Sequence, residues 1–310
     1  MSSGVEHTDT HAEGGFDAGE LIIGHVSNSS PEHPILHLPT ILGIDFSVTK
    51  HVLMLWIVAT LVFVAITWTV RRYLKQENPV PTGFMNVIEA VVQFIRDSIV
   101  LPNVGRKYLL MWTPLILTFF FFIISANAIG LVPIFDVVGA INRFILGGSA
   151  HDHGLVNNLL HGGATATGNY NVTAGLATIT FFAIIFAGSK THGFIQHWKN
   201  IVPSGFAWPI YVLLIPIEII SLFVRPFALT MRLAANMTGG HIAILAIISF
   251  VFIFAGVFQS AIAGIGVGVL VSVPLAVAIS GLEIIVVIVQ AYVFTMLSAV
   301  FIGMAINVHH

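Results

Sequence analysis

Five ionisable side chains interrupt a long apolar stretch of this sequence: Glu218, Arg225, Arg232, His241 and Glu283. From Leu233 to Leu282 there is no Asp, Glu, Lys or Arg in 50 residues. An Arg, Lys or Asp at the centre of a membrane helix costs roughly 2.5–3.5 kcal/mol, so a charge kept there calls for a functional reading first. Glu218, Arg225 and Arg232 are spaced by seven. At about 100° per residue, each step drifts by only about 20°, so the three share one helical face. Asn236, 18 residues after Glu218, returns to that face, and Ser221 lies beside it. A bridge that only holds helices together accounts for Glu218 and Arg225 as well as a functional role does. Arg232 has no carboxylate within four residues, although Glu283 can reach it from another helix. His241, nine residues beyond Arg232, points about 180° away from it. Glu283 and Gln290 are again seven apart. A His and a Glu at membrane depth have the chemistry to pass protons between water and a buried acceptor.

These side chains need a scaffold, and composition states its class. The 310 residues are 56% hydrophobic and 8% charged, with a mean hydropathy of +0.95. Soluble domains carry about 25% charged residues. That excludes a soluble enzyme, a disordered chain and a nucleic-acid binder, and a net charge of −2 offers no basic surface to nucleic acid. Cysteine is absent, which removes disulfides and thiolate chemistry. The His151-Asp152-His153 cluster lacks a third fixed ligand, so no metal and no cofactor is expected.

The expectation is an all-α polytopic membrane protein. Spans need about 20 apolar residues, and they are predicted at about 51–70, 108–135, 171–189, 206–255 and 270–306. Residues 82–100 carry Val87, Val91, Phe94 and Ile95 at helical spacing, interrupted by Glu89, Gln93, Arg96 and Asp97. That pattern fits an interfacial helix better than a span. Residues 1–45 form a polar segment, 46–310 a single membrane domain, 136–170 an outer loop, and 190–200 a basic, His-bearing surface stretch. Sequence alone permits a hairpin near Gly239-Gly240, while Gly256, Gly264, Gly266 and Gly268 mark a turn region. Eight of the 12 Lys and Arg residues lie in 71–107 and 190–199. The positive-inside rule puts those stretches in the cytoplasm and the N-terminus outside. No internal repeat is apparent, which weighs modestly against a classical transporter.

The run Pro226-Phe227-Ala228-Leu229-Thr230-Met231-Arg232-Leu233-Ala234-Ala235-Asn236-Met237-Thr238-Gly239-Gly240-His241 resembles the signature of subunit a of F-type ATP synthases. The segment from Leu282-Glu283 to Gln290-Ala291-Tyr292-Val293-Phe294 is similar to that family's last helix. Asn127 with Leu131-Val132-Pro133, and Asn171-Val172-Thr173, match weaker motifs. The resemblance covers roughly 50–305. It implies a stator that gives two offset half-channels to the carboxylates of a rotating c-ring. Arg232 matches the essential arginine facing those carboxylates, and Asn236 lies beside it. Glu218, Ser221 and Arg225 match polar positions along the same helix. His241 and Glu283 match a coupled pair lining a half-channel, and Gln290 matches a glutamine near the arginine. The last two helices are implied to form a long, tilted hairpin.

The sequence departs from the pattern in places. Many bacterial members have Glu at 241 and His at 283, and the exchange here is similar to mitochondrial members. An acidic residue often found in the second span is Gly130 here, and a common Pro and Asp are replaced around Gly168-Asn169-Tyr170. Implied partners are c-ring subunits, peripheral-stalk b subunits, the rest of the synthase and the bilayer, with no catalysis by this chain alone. The implied location is the bacterial inner membrane, with the C-terminus cytoplasmic. Two rival readings stay open: a stand-alone ion channel or secondary transporter, and a purely structural membrane anchor.

Overall fold

The computed structural model describes Gly19, Ile22, Ile23 and residues 47–75, 83–131, 165–200 and 208–307. Most of the polar segment 1–45 and most of the expected loop 136–170 lie outside the described residues.

Helix α1 spans Lys50–Leu74. Helix α2, Phe84–Phe94, passes through a π-helical turn, Ile95–Val100, into α3, Leu101–Leu131. Helix α4 spans Tyr170–His192, and α5 is the short Phe194–Asn200. Helix α6 runs unbroken over the 50 residues Trp208–Val257. Helix α7, Ala261–Val267, joins α8, Val273–Ile306, through a second π-helical turn, Gly268–Ser272. Five helical stretches among the described residues are long and apolar enough to cross a membrane: His51–Leu74, Phe84–Leu131, Tyr170–His192, Trp208–Val257 and Ala261–Ile306. The chain is an all-α polytopic membrane protein.

The second half of α8 is the hub, because it packs on α3, α4 and α6. Its inward positions Ala291, Phe294, Thr295, Ser298, Ala299 and Ile302 are all buried. Small residues let the helices approach closely, as expected where lipid removes the hydrophobic drive for helix association. At Gly303 the backbones themselves come close: a Cβ there would stand 2.5 Å from the Asn103 carbonyl oxygen of α3. Thr180 Oγ1 of α4 meets Ser298 Oγ at 3.2 Å. The end of α8 is tied down by Asn307 Nδ2 donating to the Asn103 carbonyl at 2.8 Å.

Three sequence expectations meet the structure here. Residues 84–104 form a helix distinct from the span that follows, as the apolar pattern of 82–100 predicts: the backbone leaves helical geometry at Gly105 (φ 74°, ψ 167°), where the direction changes. Ile88, Ile95 and Ile99 face inward, whereas Val87 and Phe94 face outward. Helix α6 is continuous through Gly239-Gly240, where sequence alone permitted a hairpin, and matches the long span predicted at about 206–255. The chain turns at Phe258-Gln259-Ser260, inside the turn region marked by Gly256, Gly264, Gly266 and Gly268, with Gln259 at φ 46° and the Ser260 hydroxyl capping α7 by accepting from the Ala263 amide. At about 1.5 Å per residue α6 is about 75 Å long. A hydrocarbon core of about 30 Å holds such a helix only if it is steeply tilted. Finally, 190–200 is not simply a surface stretch, because His197 is buried against Gly188, where its imidazole fills the space of a Cβ.

The His197 imidazole is held below the usual histidine range by burial, with His192 adding repulsion. The undocked state therefore binds a proton more readily than the docked one. Docking of α5 is fully stable above the free histidine value of about 6.5 and weakens as pH falls below it. Amide exchange across 194–200, corrected for intrinsic rates, should be faster at pH 5.5 than at 7.5. In His197→Leu that difference should vanish. Equal protection of the native chain at both pH values would show that His197 does not couple docking to protonation.

Candidate functional site

Two polar groups lie along α6, on different faces. The first is the stripe. Glu218 and Arg225 form an ion pair at 3.3 Å, and both are partly exposed. The Arg225 guanidinium also stands over the Phe301 ring of α8, 5.7 Å from its centroid. This pair bridges two turns of one helix, and its aromatic contact adds a tie to α8. Ser221 is partly buried nearby, whereas Arg232 and Asn236 are exposed. Among the described residues no carboxylate lies within ion-pair distance of Arg232, and Glu283 does not reach it. Around Arg232 the α6 surface exposes Phe227 and Met231. The arrangement is a permanent cation on a largely apolar helix face, with no counter-charge in the described chain.

The second group gathers on the opposite side of α6 and reaches three other stretches of chain: α8, the turn at 165–168 and α3. Glu283 of α8 is 5% exposed. Its carboxylate packs directly on the Cα of Gly240, so that a side chain at 240 would collide with it. Neither Glu283 carboxylate oxygen has a hydrogen-bond partner among the described residues. His241, the next residue, is partly buried, and its Nε2 lies 2.7 Å from Thr165 Oγ1. Glu283 thus meets α6 one residue from His241, and no ion pair or hydrogen bond joins the two side chains. Gln290, two turns further along α8 and 7% exposed, lines the same buried interior.

Thr165 and Thr167 are residues that sequence reasoning placed in the outer loop and did not single out. The chain here makes a single 3-10 turn, Ala166–Gly168, before Asn169 caps α4 by accepting from the Asn171 amide at 2.8 Å. Thr165, Ala166, Thr167 and Asn169 are all buried. The Thr167 hydroxyl donates to Asn127 Oδ1 of α3 in a short hydrogen bond. Thr238 Oγ1 of α6 donates to the Gly168 carbonyl at 3.4 Å. Gly130 of α3 makes room: the Thr165 side chain occupies the space that any Cβ at 130 would need. The one available signal was the cluster of Thr and Gly just before the third span, which suits a tightly packed turn as well as a loop.

Chemically, the interior cluster offers a titratable imidazole, a buried carboxyl with free oxygens, and hydroxyl and amide groups from three stretches. No group of three or more His, Cys, Asp or Glu residues that would hold a metal occurs among the described residues.

Residues 52–303 match the family described as ATP synthase A chain. Among curated relatives, the ATP synthase subunit a 2 of Chlorobium luteolum is 40% identical over 296 residues, covering 93% of this chain and 76% of the relative. The ATP synthase subunit a 2 of Prosthecochloris aestuarii is 40% identical over 303 residues, covering 95% and 82%. The ATP synthase subunit a of Chloroherpeton thalassium is 38% identical over 293 residues, covering 92% and 75%.

The contact of Gly240 with Glu283 gives a test on the isolated subunit in lipid nanodiscs. Gly240→Ala forces a methyl against a buried carboxylate, and overpacking of this kind costs about 1–3 kcal/mol. Gly239→Ala meets open space and gains helix propensity of up to about 1 kcal/mol. The thermal midpoint should therefore fall for Gly240→Ala and hold or rise for Gly239→Ala. Equal midpoints for the two variants would contradict the packing of Glu283 on α6.

Proposed function

This chain belongs to the ATP synthase A chain family, and we propose that it is the proton-translocating stator of an F-type ATP synthase. In this reading it is a non-catalytic subunit that offers two offset half-channels to the carboxylates of a rotating c-ring. The observation that carries the reading is Arg232: an exposed cation on the apolar face of α6, with no ion pair among the described residues. An uncompensated charge at membrane depth is costly. It is kept where a mobile counter-charge from another protein visits it.

The physics follows from that placement. A ring carboxylate takes a proton from one half-channel, travels through lipid as a neutral acid, and meets Arg232. The guanidinium favours the ionised form by Coulomb attraction in a low-dielectric setting, so the proton leaves into the other half-channel. The same fixed charge repels protons between the half-channels, so flux requires rotation. Asn236, on the exposed face one turn on, supplies amide groups beside the arginine. The ion pair of Glu218 with Arg225 extends the polar stripe toward one membrane face. His241 and Glu283 carry protons on the interior side of α6, with Gln290 further along α8. Further partners in the assembly are the peripheral-stalk b subunits and the lipid bilayer. The Lys and Arg distribution supports 71–107 and 190–200 in the cytoplasm and the N-terminus outside, and the family likeness to bacterial relatives supports an inner-membrane location with a cytoplasmic C-terminus. In the native chain, which has no cysteine, a single Gln196→Cys should accordingly react with an impermeant thiol reagent from the cytoplasmic side alone.

Reconstituted complexes carrying Arg232→Ala test the stator reading. ATP-driven proton pumping should fall by far more than tenfold, a loss above about 1.4 kcal/mol, while the complex still assembles. Arg232→Lys should fail as well, because an ammonium lacks the planar fork and releases its proton readily when desolvated. Normal coupled pumping by a fully assembled Arg232→Ala complex would end this reading.

A further inference from the structure

We propose that Thr165 is a positioning residue for His241, holding its imidazole in one orientation through both of its charge states. This rests on the reading of His241 as a proton carrier, and it assigns a role to a side chain outside the sequence motifs. Thr165 Oγ1 lies 2.7 Å from His241 Nε2, joining positions 76 residues apart. A hydroxyl both donates and accepts. When the imidazole is neutral at Nε2, the threonine O–H donates to it. When the imidazole is protonated, the hydroxyl rotates and accepts from Nε2–H. Neither state leaves that ring nitrogen unpaired, so the histidine changes charge without giving up its anchor. Nδ1 forms no hydrogen bond among the described residues, so proton exchange can use that nitrogen while Nε2 stays anchored. The Glu283 oxygens, both without partners on the far side of the Gly240 contact, suit a proton arriving by that route.

The anchor is itself fixed from several directions. The Thr165 side chain is seated against Gly130, where no Cβ intrudes. The turn that follows is held to α3 by Thr167 and Asn127 and to α6 by Thr238 and the Gly168 carbonyl. Thr165 is 3% exposed. A hydroxyl held this firmly costs little further ordering when it binds the imidazole, which is what a positioning group requires.

The test uses the intact, reconstituted complex, with proton pumping measured per assembled complex. Thr165→Val keeps the shape and removes the hydroxyl, Thr165→Ala removes the hydroxyl without any risk of crowding Gly130, and Thr165→Ser keeps the hydroxyl. His241→Ala runs alongside. Pumping should fall about fivefold to tenfold in Thr165→Val and Thr165→Ala, the size of one buried hydrogen bond. Thr165→Ser should recover most of the rate. If His241→Ala slows pumping while either assembled hydroxyl-free variant pumps like the native complex, the role of Thr165 is overturned and the relay reading survives. Loss in Thr165→Ser equal to that in Thr165→Ala would likewise overturn it, since packing rather than the hydroxyl would then be at work. If His241→Ala pumps normally, the relay reading itself fails, and this inference falls with it.

Discussion

An arginine that the described chain does not neutralise is the constraint around which this molecule is organised. Arg232 sits on the outward face of a 50-residue helix and has no ion pair among the described residues. Burying it against Glu283 would have satisfied the charge inside the bundle, but at the cost of removing it from any partner. The structure keeps the two apart: Glu283 is buried against the Cα of Gly240, while the guanidinium is directed outward. Arg225 meets the same problem differently, through Glu218 and the Phe301 ring. One helix therefore carries a satisfied arginine and an unsatisfied one, seven residues apart.

Holding α6 in place while it displays a charge requires a rigid back. That back is the second half of α8, whose small and hydroxyl-bearing residues allow α3, α4 and α6 to close around it. The contact of Gly303 with the Asn103 backbone and the Thr180–Ser298 hydroxyl pair fix its register. On the interior side, the turn at Ala166–Gly168 wedges between α3 and α6 and ties Asn127, Thr238 and His241 into one hydrogen-bonded group. The exposed cation and the interior titratable groups are thus set by the same helix, and moving one moves the other.

Much of this was legible in the sequence, for physical reasons that differ from residue to residue. The spacing of seven put Glu218, Arg225 and Arg232 on one face, and hydropathy found the five long helices. The interior cluster was hidden because its contacts join residues 40 and 76 positions apart, which no local pattern reports. Its threonines also stand in a stretch whose composition reads as loop. Gly239-Gly240 suggested a break, since glycine weakens a helix by about 1 kcal/mol, but packing of Glu283 against Gly240 overrides that propensity. The hairpin falls at Gln259, within the turn region that Gly256, Gly264, Gly266 and Gly268 mark, and the break after the 82–100 pattern falls at Gly105, where φ is positive. His197 was masked by its basic neighbours, although it docks a short helix against Gly188.

The central claim is that Arg232 serves a partner and not the fold of its own chain. The most direct measurement is the thermal midpoint of the isolated subunit in lipid nanodiscs, comparing Arg232→Leu with Arg225→Leu. Removing an unpaired charge from an apolar helix face should leave the midpoint unchanged or raise it. Removing Arg225 should lower it, because Glu218 is left without its partner. A fall in Arg232→Leu as large as that in Arg225→Leu would contradict the account, since Arg232 would then be holding the bundle together.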